Sequence, residues 1–143
     1  MLDNGRLSFD ALQRRLVTSP GKAHELVAST PASYVAFDLL AVGGVDLRSQ
    51  RWTNRRRRLE SLAAWTPPLQ LSLVTDDPSE AQDWFEVLPA MGVEGLVAKG
   101  KASRYEPGRR GWLKVSSVGV SRVPLADSGV SDLVRGQVVL VCS

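Results

Sequence analysis

Two short apolar runs carry the charges that could do chemistry. The first reads Val-Glu-Gly-Leu-Val-Ala-Lys from Val93, with a carboxylate, Glu94, near one end and an ammonium, Lys99, at the other. The second, Trp112-Leu113-Lys114-Val115, carries Lys114. A polar turn with Pro107 and Gly108 lies between them. This is the layout of two strands joined by a loop, with charges at the strand ends. From Lys99 to Arg110, the cations Lys99, Lys101, Arg104, Arg109 and Arg110 stand against Glu106 alone. Such a loop suits a polyanion, and a carboxylate among cations suits a divalent metal that a phosphate shares. The same residues also describe an ordinary solvated loop beside a strand-end charge, and spacing alone favours that plainer reading.

The elements that must position these groups follow from the rest of the chain. Asn4-Gly5 is a hairpin-turn signal, but only three residues precede it, so the first strand of that hairpin is expected to be missing. Ser8 is the expected N-cap of a helix with Phe9, Leu12 and Leu16 at helical spacing, ending before Pro20-Gly21. Arg14-Arg15 reads as its solvated face. Residues 21–33 read as loop or a loose helical turn, with no role for His24. Tyr34 to Val42 is a near-continuous apolar run ended by Gly43-Gly44, which predicts one strand buried on both faces. Asp38 is anomalous there, because a buried carboxylate needs a partner. Either it sits at a strand end or accepts backbone bonds, with Phe37 in the core, or the pair has a function.

Thr53 is the expected cap of a helix running to about Trp65, with Leu59, Leu62 and Ala63 on one face. Arg55, Arg56, Arg57 and Arg58 in its first turns oppose the helix dipole unless nearby acids or an anion offset them. An exposed basic face is the simpler reading. Leu69, Leu71 and Leu73 alternate like a half-buried strand. Asp77-Pro-Ser-Glu80 has the spacing of a capping box with proline at the first helical position. Ala81, Trp84, Phe85 and Leu88 form the core stripe of that helix, which Pro89 and Gly92 end.

Glu94-Gly95-Leu96-Val97-Ala98-Lys99, followed by Ser103-Arg104-Tyr105-x-Pro-Gly-Arg-Arg-x-Trp112-Leu113-Lys114, resembles the late nucleotidyltransferase motifs of ATP-dependent DNA ligases of the bacterial repair type. Phe37-Asp38-x-Leu40 resembles the family's Phe-Asp-x-Leu motif. The resemblance implies an α+β fold: a partial nucleotidyltransferase (ATP-grasp-like) adenylation domain over residues 1–116, with a mixed or antiparallel sheet and about three helices. It implies ATP and Mg²⁺. Phe37 would stack on adenine, Glu94 would help hold the metal, and Lys99 and Lys114 would neutralise charge at the α-phosphate. Arg104, Arg109 and Arg110 become candidate phosphate or DNA contacts, and the implied partner is nicked double-stranded DNA.

The family's nucleophile is the lysine of Lys-x-Asp-Gly, and none of the four lysines here stands in that setting. The family's Asp-Gly-Glu element is also absent from the sequence. The expectation is therefore the C-terminal half of an adenylation domain, catalytically inactive alone. The alternatives to such an inactive ligase-derived fragment are one half of a split ligase, complemented by a separately encoded N-terminal half, and a non-catalytic nucleotide- or nucleic-acid-binding module. After Lys114 the resemblance breaks, because Ser116 stands where the family places a second lysine. Residues 117–143 read as a divergent, poorly ordered tail, too short for the family's OB-fold domain, in which Val138 to Val141 can form a strand.

Composition sets the outer bounds. The 143 residues amount to about one domain, and 43% hydrophobic residues suffice for a core. A net charge of +3 is compatible with nucleic acid without requiring it. One cysteine, Cys142, and one histidine, His24, exclude an internal disulfide and histidine-rich metal ligation. No apolar run approaches the roughly 20 residues of a membrane span, and no basic-then-apolar segment opens the chain. These features predict a cytoplasmic protein with no membrane partner. A hairpin without its first strand would leave sheet edges unpaired, which predicts an association-prone monomer.

Overall fold

The computed structural model describes residues 2–3, 6–109, 111–116 and 136–141. Two short strands, β1 (Leu2–Asp3) and β2 (Arg6–Leu7), pair antiparallel. The opening hairpin thus has a first strand two residues long, where the sequence suggested none. Its Asn4-Gly5 turn lies outside the described residues. Helix α1 (Phe9–Leu16) starts at Ser8, whose hydroxyl accepts from the Ala11 amide at 3.2 Å.

A second helix, α2 (Pro20–Ser29), occupies most of the segment read as loop. Ser19-Pro20 is its start signal, since proline at the first helical position loses no bond there. Arg15 is not a solvated charge. Its guanidinium donates to the carbonyls of Leu26 (2.6 Å) and Thr30, at the C-terminal end of α2. A cation there meets unpaired carbonyls and the negative end of the helix dipole. The side chain of Arg14 lies outside the described residues.

The apolar run from Tyr34 is two strands rather than one. β3 (Tyr34–Ala36) stops before Phe37, and β4 (Ala41–Val42) pairs with β5 (Val45–Asp46). Gly43 (φ 56°) and Gly44 (φ 78°) join that hairpin, and positive φ at both turn positions is what its geometry demands. Helix α3 (Trp52–Glu60) has Arg51 at its N-cap, not Thr53, with no side-chain cap bond. The Trp52 amide instead donates to the Ser103 carbonyl at 2.7 Å and the Thr53 amide to Lys101 at 3.3 Å. The cationic loop itself caps α3. The helix also ends earlier than expected, and Leu62 beyond it is 47% exposed.

The leucine alternation splits as well. β6 (Leu69–Leu71) pairs parallel with β3, whereas β7 (Val74–Thr75) joins the main sheet. Helix α4 (Pro78–Val87) is capped by Asp77, whose carboxylate accepts from the Ser79 amide at 2.8 Å. The Asp77 amide donates to the Thr75 hydroxyl at 3.0 Å. A 3₁₀ turn (Leu88–Met91) and Gly92 in the left-handed region (φ 86°) end the helix and turn the chain into β8 (Gly95–Gly100).

β8 is the centre of the molecule. The main sheet is antiparallel in the order β7-β10-β8-β9, with β9 at Trp112–Ser116 and β10 at Gly136–Val141. The strand read at Val138–Val141 is β10, set between β7 and β8. Strand alternation sorts the faces of β8 and β9. Trp84, Phe85 and Leu88 line a small cavity with Leu96, so the α4 side covers one face. Val97 opposes Lys114 and Lys99 opposes Trp112, so these four share the other face.

The architecture is α+β as expected, with one α-helix more than the three anticipated among the described residues. Trp52 is fully buried, so Trp52→Ala is expected to lower stability by about 3–5 kcal/mol in urea denaturation. Leu62→Ala, outside the helix and exposed, is expected to stay within about 0.5 kcal/mol.

Candidate functional site

One carboxylate organises the face of β8 that carries Lys99. Asp38 follows the end of β3, and its Oδ1 accepts from the Leu39 amide at 2.8 Å. Arg55 of α3 grips the same carboxylate with two parallel bonds, Nε to Oδ1 at 2.9 Å and Nη2 to Oδ2 at 3.0 Å. Its Nη1 donates to the Gln50 carbonyl at 2.7 Å. Lys99 Nζ reaches Oδ2 at 3.2 Å. The side chains of Arg55 and Lys99 are fully buried and that of Asp38 is 3% exposed. Asp38 therefore does stand at a strand end, and its partners are two cations 17 and 61 residues away.

Aromatic rings enclose the lysine. Nζ lies 4.0 Å from the ring centre of Trp112, 4.9 Å from Phe37 and 5.9 Å from Trp52. All three distances are within cation–π range. Tyr105 meets Trp112 edge-on at 5.6 Å. Phe37 is 42% exposed, so one ring that touches the buried ammonium also faces solvent. Lys114 shares this sheet face and lies 3.7 Å from Glu94 Oε2, with both side chains about half exposed. The structure thus brings together Phe37, Lys99, Lys114 and Glu94.

The loop cations stand apart from this cluster. A surface groove of about 440 Å³ is lined by Ser103, Arg104, Tyr105, Glu106, Arg109 and Trp112, among others. Arg104 is exposed, and Arg109 pairs with Glu106 at 2.6 Å on the surface. Among the described residues Trp112 is common to the groove and the Lys99 cluster. Lys101 pairs with Asp76 at 2.7 Å. Arg110 lies outside the described residues.

The basic run in α3 is only partly an exposed face. Arg57 and Arg58 are exposed, but Arg55 is fully buried and Arg56 nearly so. Arg56 pairs with Glu60 at 2.7 Å and donates to the Ser72 carbonyl at 2.9 Å. Acids offset the run, and carbonyls already occupy the first amides of the helix, so no anion is needed at its start. Sequence reasoning gave no site role to Arg55, Trp52 or Trp112. The available signal was Asp38 itself, since a carboxylate inside an apolar run requires a cation, and α3 supplies one.

Burial pushes the Asp38 carboxyl up, but the Arg55 hydrogen bonds, the Lys99 and Arg55 charges and the Leu39 amide outweigh it and hold the group below its ordinary value. Burial lowers Lys99, and Asp38 only partly opposes that, so the ammonium sits below the ordinary lysine value. Among the described residues no cluster of three or more His, Cys, Asp or Glu side chains could hold a metal by itself. Glu94 supplies a single carboxylate. It suits Mg²⁺ held largely by phosphates and water, as that ion is usually bound.

An exposed aromatic face over a buried cation, on an α+β scaffold, defines a candidate site for a flat, anionic ligand. The chain belongs to the ATP-dependent DNA ligase domain family, whose model matches residues 2–116. It is 37% identical over 113 residues to DNA ligase C2 of Mycolicibacterium smegmatis, covering 78% of this chain and 32% of that protein. It is 34% identical over 118 residues to DNA ligase C of Mycobacterium tuberculosis, covering 79% and 33%. A probable DNA ligase of Mycolicibacterium gilvum is 46% identical over 95 residues, covering 64% and 18%. The chain thus spans about a third or less of the length of these relatives. No helix among the described residues is long and apolar enough to cross a membrane.

Removing the carboxylate strands two buried cations, so Asp38→Ala is expected to cost about 3–5 kcal/mol at neutral pH. Because the folded value of Asp38 is depressed, its contribution is complete above the unfolded value of about 4 and is lost as pH falls through the folded value. Urea denaturation at pH 7 and pH 3 should therefore show the gap between variant and parent narrowing in acid.

Proposed function

We propose that this chain provides the nucleotide-phosphate side of ATP-dependent DNA ligation, the sealing of nicks in DNA repair. The observation that carries the reading is the charge state of the Lys99 cluster. One carboxylate faces two buried cations, which leaves a positive charge beside the partly exposed ring of Phe37. Uncompensated buried charge is costly, and an anion arriving there relieves it. A nucleotide matches both parts, with its base against Phe37 and its phosphates toward the lysines.

In this reading Lys99 and Lys114 hold the phosphates, and their charge opposes the negative charge that grows at the α-phosphate during transfer. Glu94 orients a Mg²⁺ ion that the phosphates share. Arg104 and Arg109, beside the groove, meet the DNA backbone, for which exposed arginines are suited. Arg110 is assigned to the same contact from the motif alone. Residues 1–116 form the ligase-type unit, and of the segment 117–143 the stretch 136–141 adds β10 to its sheet.

No lysine among these 143 residues stands in a Lys-x-Asp-Gly setting, so these residues by themselves bind nucleotide without taking up AMP covalently, and sealing draws its nucleophilic lysine from outside them. Equilibrium binding of ATP with Mg²⁺ tests the reading. Phe37→Ala is expected to lose about 1–3 kcal/mol of stacking, and Lys99→Met about tenfold or more in affinity. Labelled ATP should leave no covalent label on this chain. ATP affinity indifferent to both substitutions, or a stable covalent adenylate, would contradict the proposal.

A further inference from the structure

Arg55 is the charged group that the ligation chemistry proposed above leaves without a task. It is fully buried, and its Nε, Nη1 and Nη2 are all engaged, so it does not reach a ligand itself. Its effect falls on Asp38, whose two oxygens it holds in a fork, the geometry in which an arginine–carboxylate pair is strongest. Lys99 comes third to that carboxylate, through one bond at 3.2 Å, and its other close neighbours are ring faces. Arg56, the next cation along, is committed to Glu60 and Ser72. A lysine with a carboxylate to itself is a closed pair that an incoming anion must break. A lysine sharing a carboxylate already gripped by arginine is only partly neutralised.

We propose that Arg55 is a positioning residue for Lys99: by occupying both oxygens of Asp38 it keeps the buried Lys99 ammonium in place and incompletely neutralised, so that its charge attracts an anion arriving at the exposed side of Phe37. The identity of that anion as a nucleotide phosphate rests on the function proposed above. The charge arrangement does not.

In ATP affinity the role gives opposite signs to two substitutions that would both weaken binding if the network were purely structural. In Arg55→Met, Asp38 belongs to Lys99 alone, so the ammonium is better neutralised and binds an anion less well. In Asp38→Asn, which keeps the side-chain shape and a carbonyl oxygen, the competing negative charge is gone and the anion binds better. The experiment uses the full chain labelled with ¹³C-lysine, following the titration of Lys99 by NMR and the affinity for ATP by calorimetry.

The expected result is a Lys99 that titrates below the ordinary lysine value in the parent, higher in Arg55→Met and lower in Asp38→Asn. ATP affinity should fall on the order of tenfold in the first variant and rise in the second. Both variants shifting the titration the same way, or both weakening ATP, overturns the proposal. So does a parent Lys99 that titrates at or above the ordinary value, a measurement that needs no substitution and decides the point should a variant not fold. Opposed titration shifts together with ATP binding that ignores Lys99→Met support the positioning role and overturn only the nucleotide as the anion.

Discussion

Three segments of the chain meet at one carboxylate. Asp38 lies just past the end of β3, Arg55 comes from α3 and Lys99 from β8. The largest fully buried side chains are Trp52, Arg55, Lys99 and Leu47, so half of that innermost set is cationic. Such a centre is weak evidence of net stabilisation. Charges taken from water recover their desolvation only with good geometry, and well-packed apolar replacements often serve as well or better. In the proposed reading, two buried cations on one carboxylate form a site kept ready for negative charge.

The rest of the fold serves that cluster. The loop after β8 lends the carbonyls of Lys101 and Ser103 to the start of α3, which fixes the helix against the sheet and aims Arg55, one turn in, at Asp38. The register of β8 and β9 sets Trp112 opposite Lys99 and brings Lys114 onto the same face. The α4 side covers the opposite face and leaves this one to Phe37, Trp52 and the lysines. Exposure grades outward from the buried Asp38–Arg55–Lys99 cluster, through the partly exposed ring of Phe37, to the half-exposed Lys114 and Glu94. That gradient is what a ligand with a flat apolar part and a charged part requires.

Much of this was legible in the sequence, and the exceptions have physical causes. The strand carrying Lys99 (though it starts one residue after Glu94), the strand carrying Lys114 and the Asp77 cap followed from local pattern, because each depends on neighbours within a few residues. The run from Tyr34 to Val42 misled, since its apolar character continues where the backbone does not: at Asp38 the side chain takes the next amide, and the chain leaves the ladder. Thr53 and the length of α3 misled because its cap is tertiary, supplied by carbonyls some 50 residues on. Helix α2 was missed although Ser19-Pro20 announced it. Arg15 and Arg55 looked solvated because sequence shows a charge but not its partner, and those partners lie 11 to 17 residues away.

The most direct measurement is a crystal structure of the full chain with a non-hydrolysable ATP analogue and Mg²⁺. The account predicts the base against Phe37, the phosphates at Lys99 and Lys114, and the metal beside Glu94. An analogue bound elsewhere, with the Asp38–Arg55–Lys99 cluster closed and untouched, would contradict it.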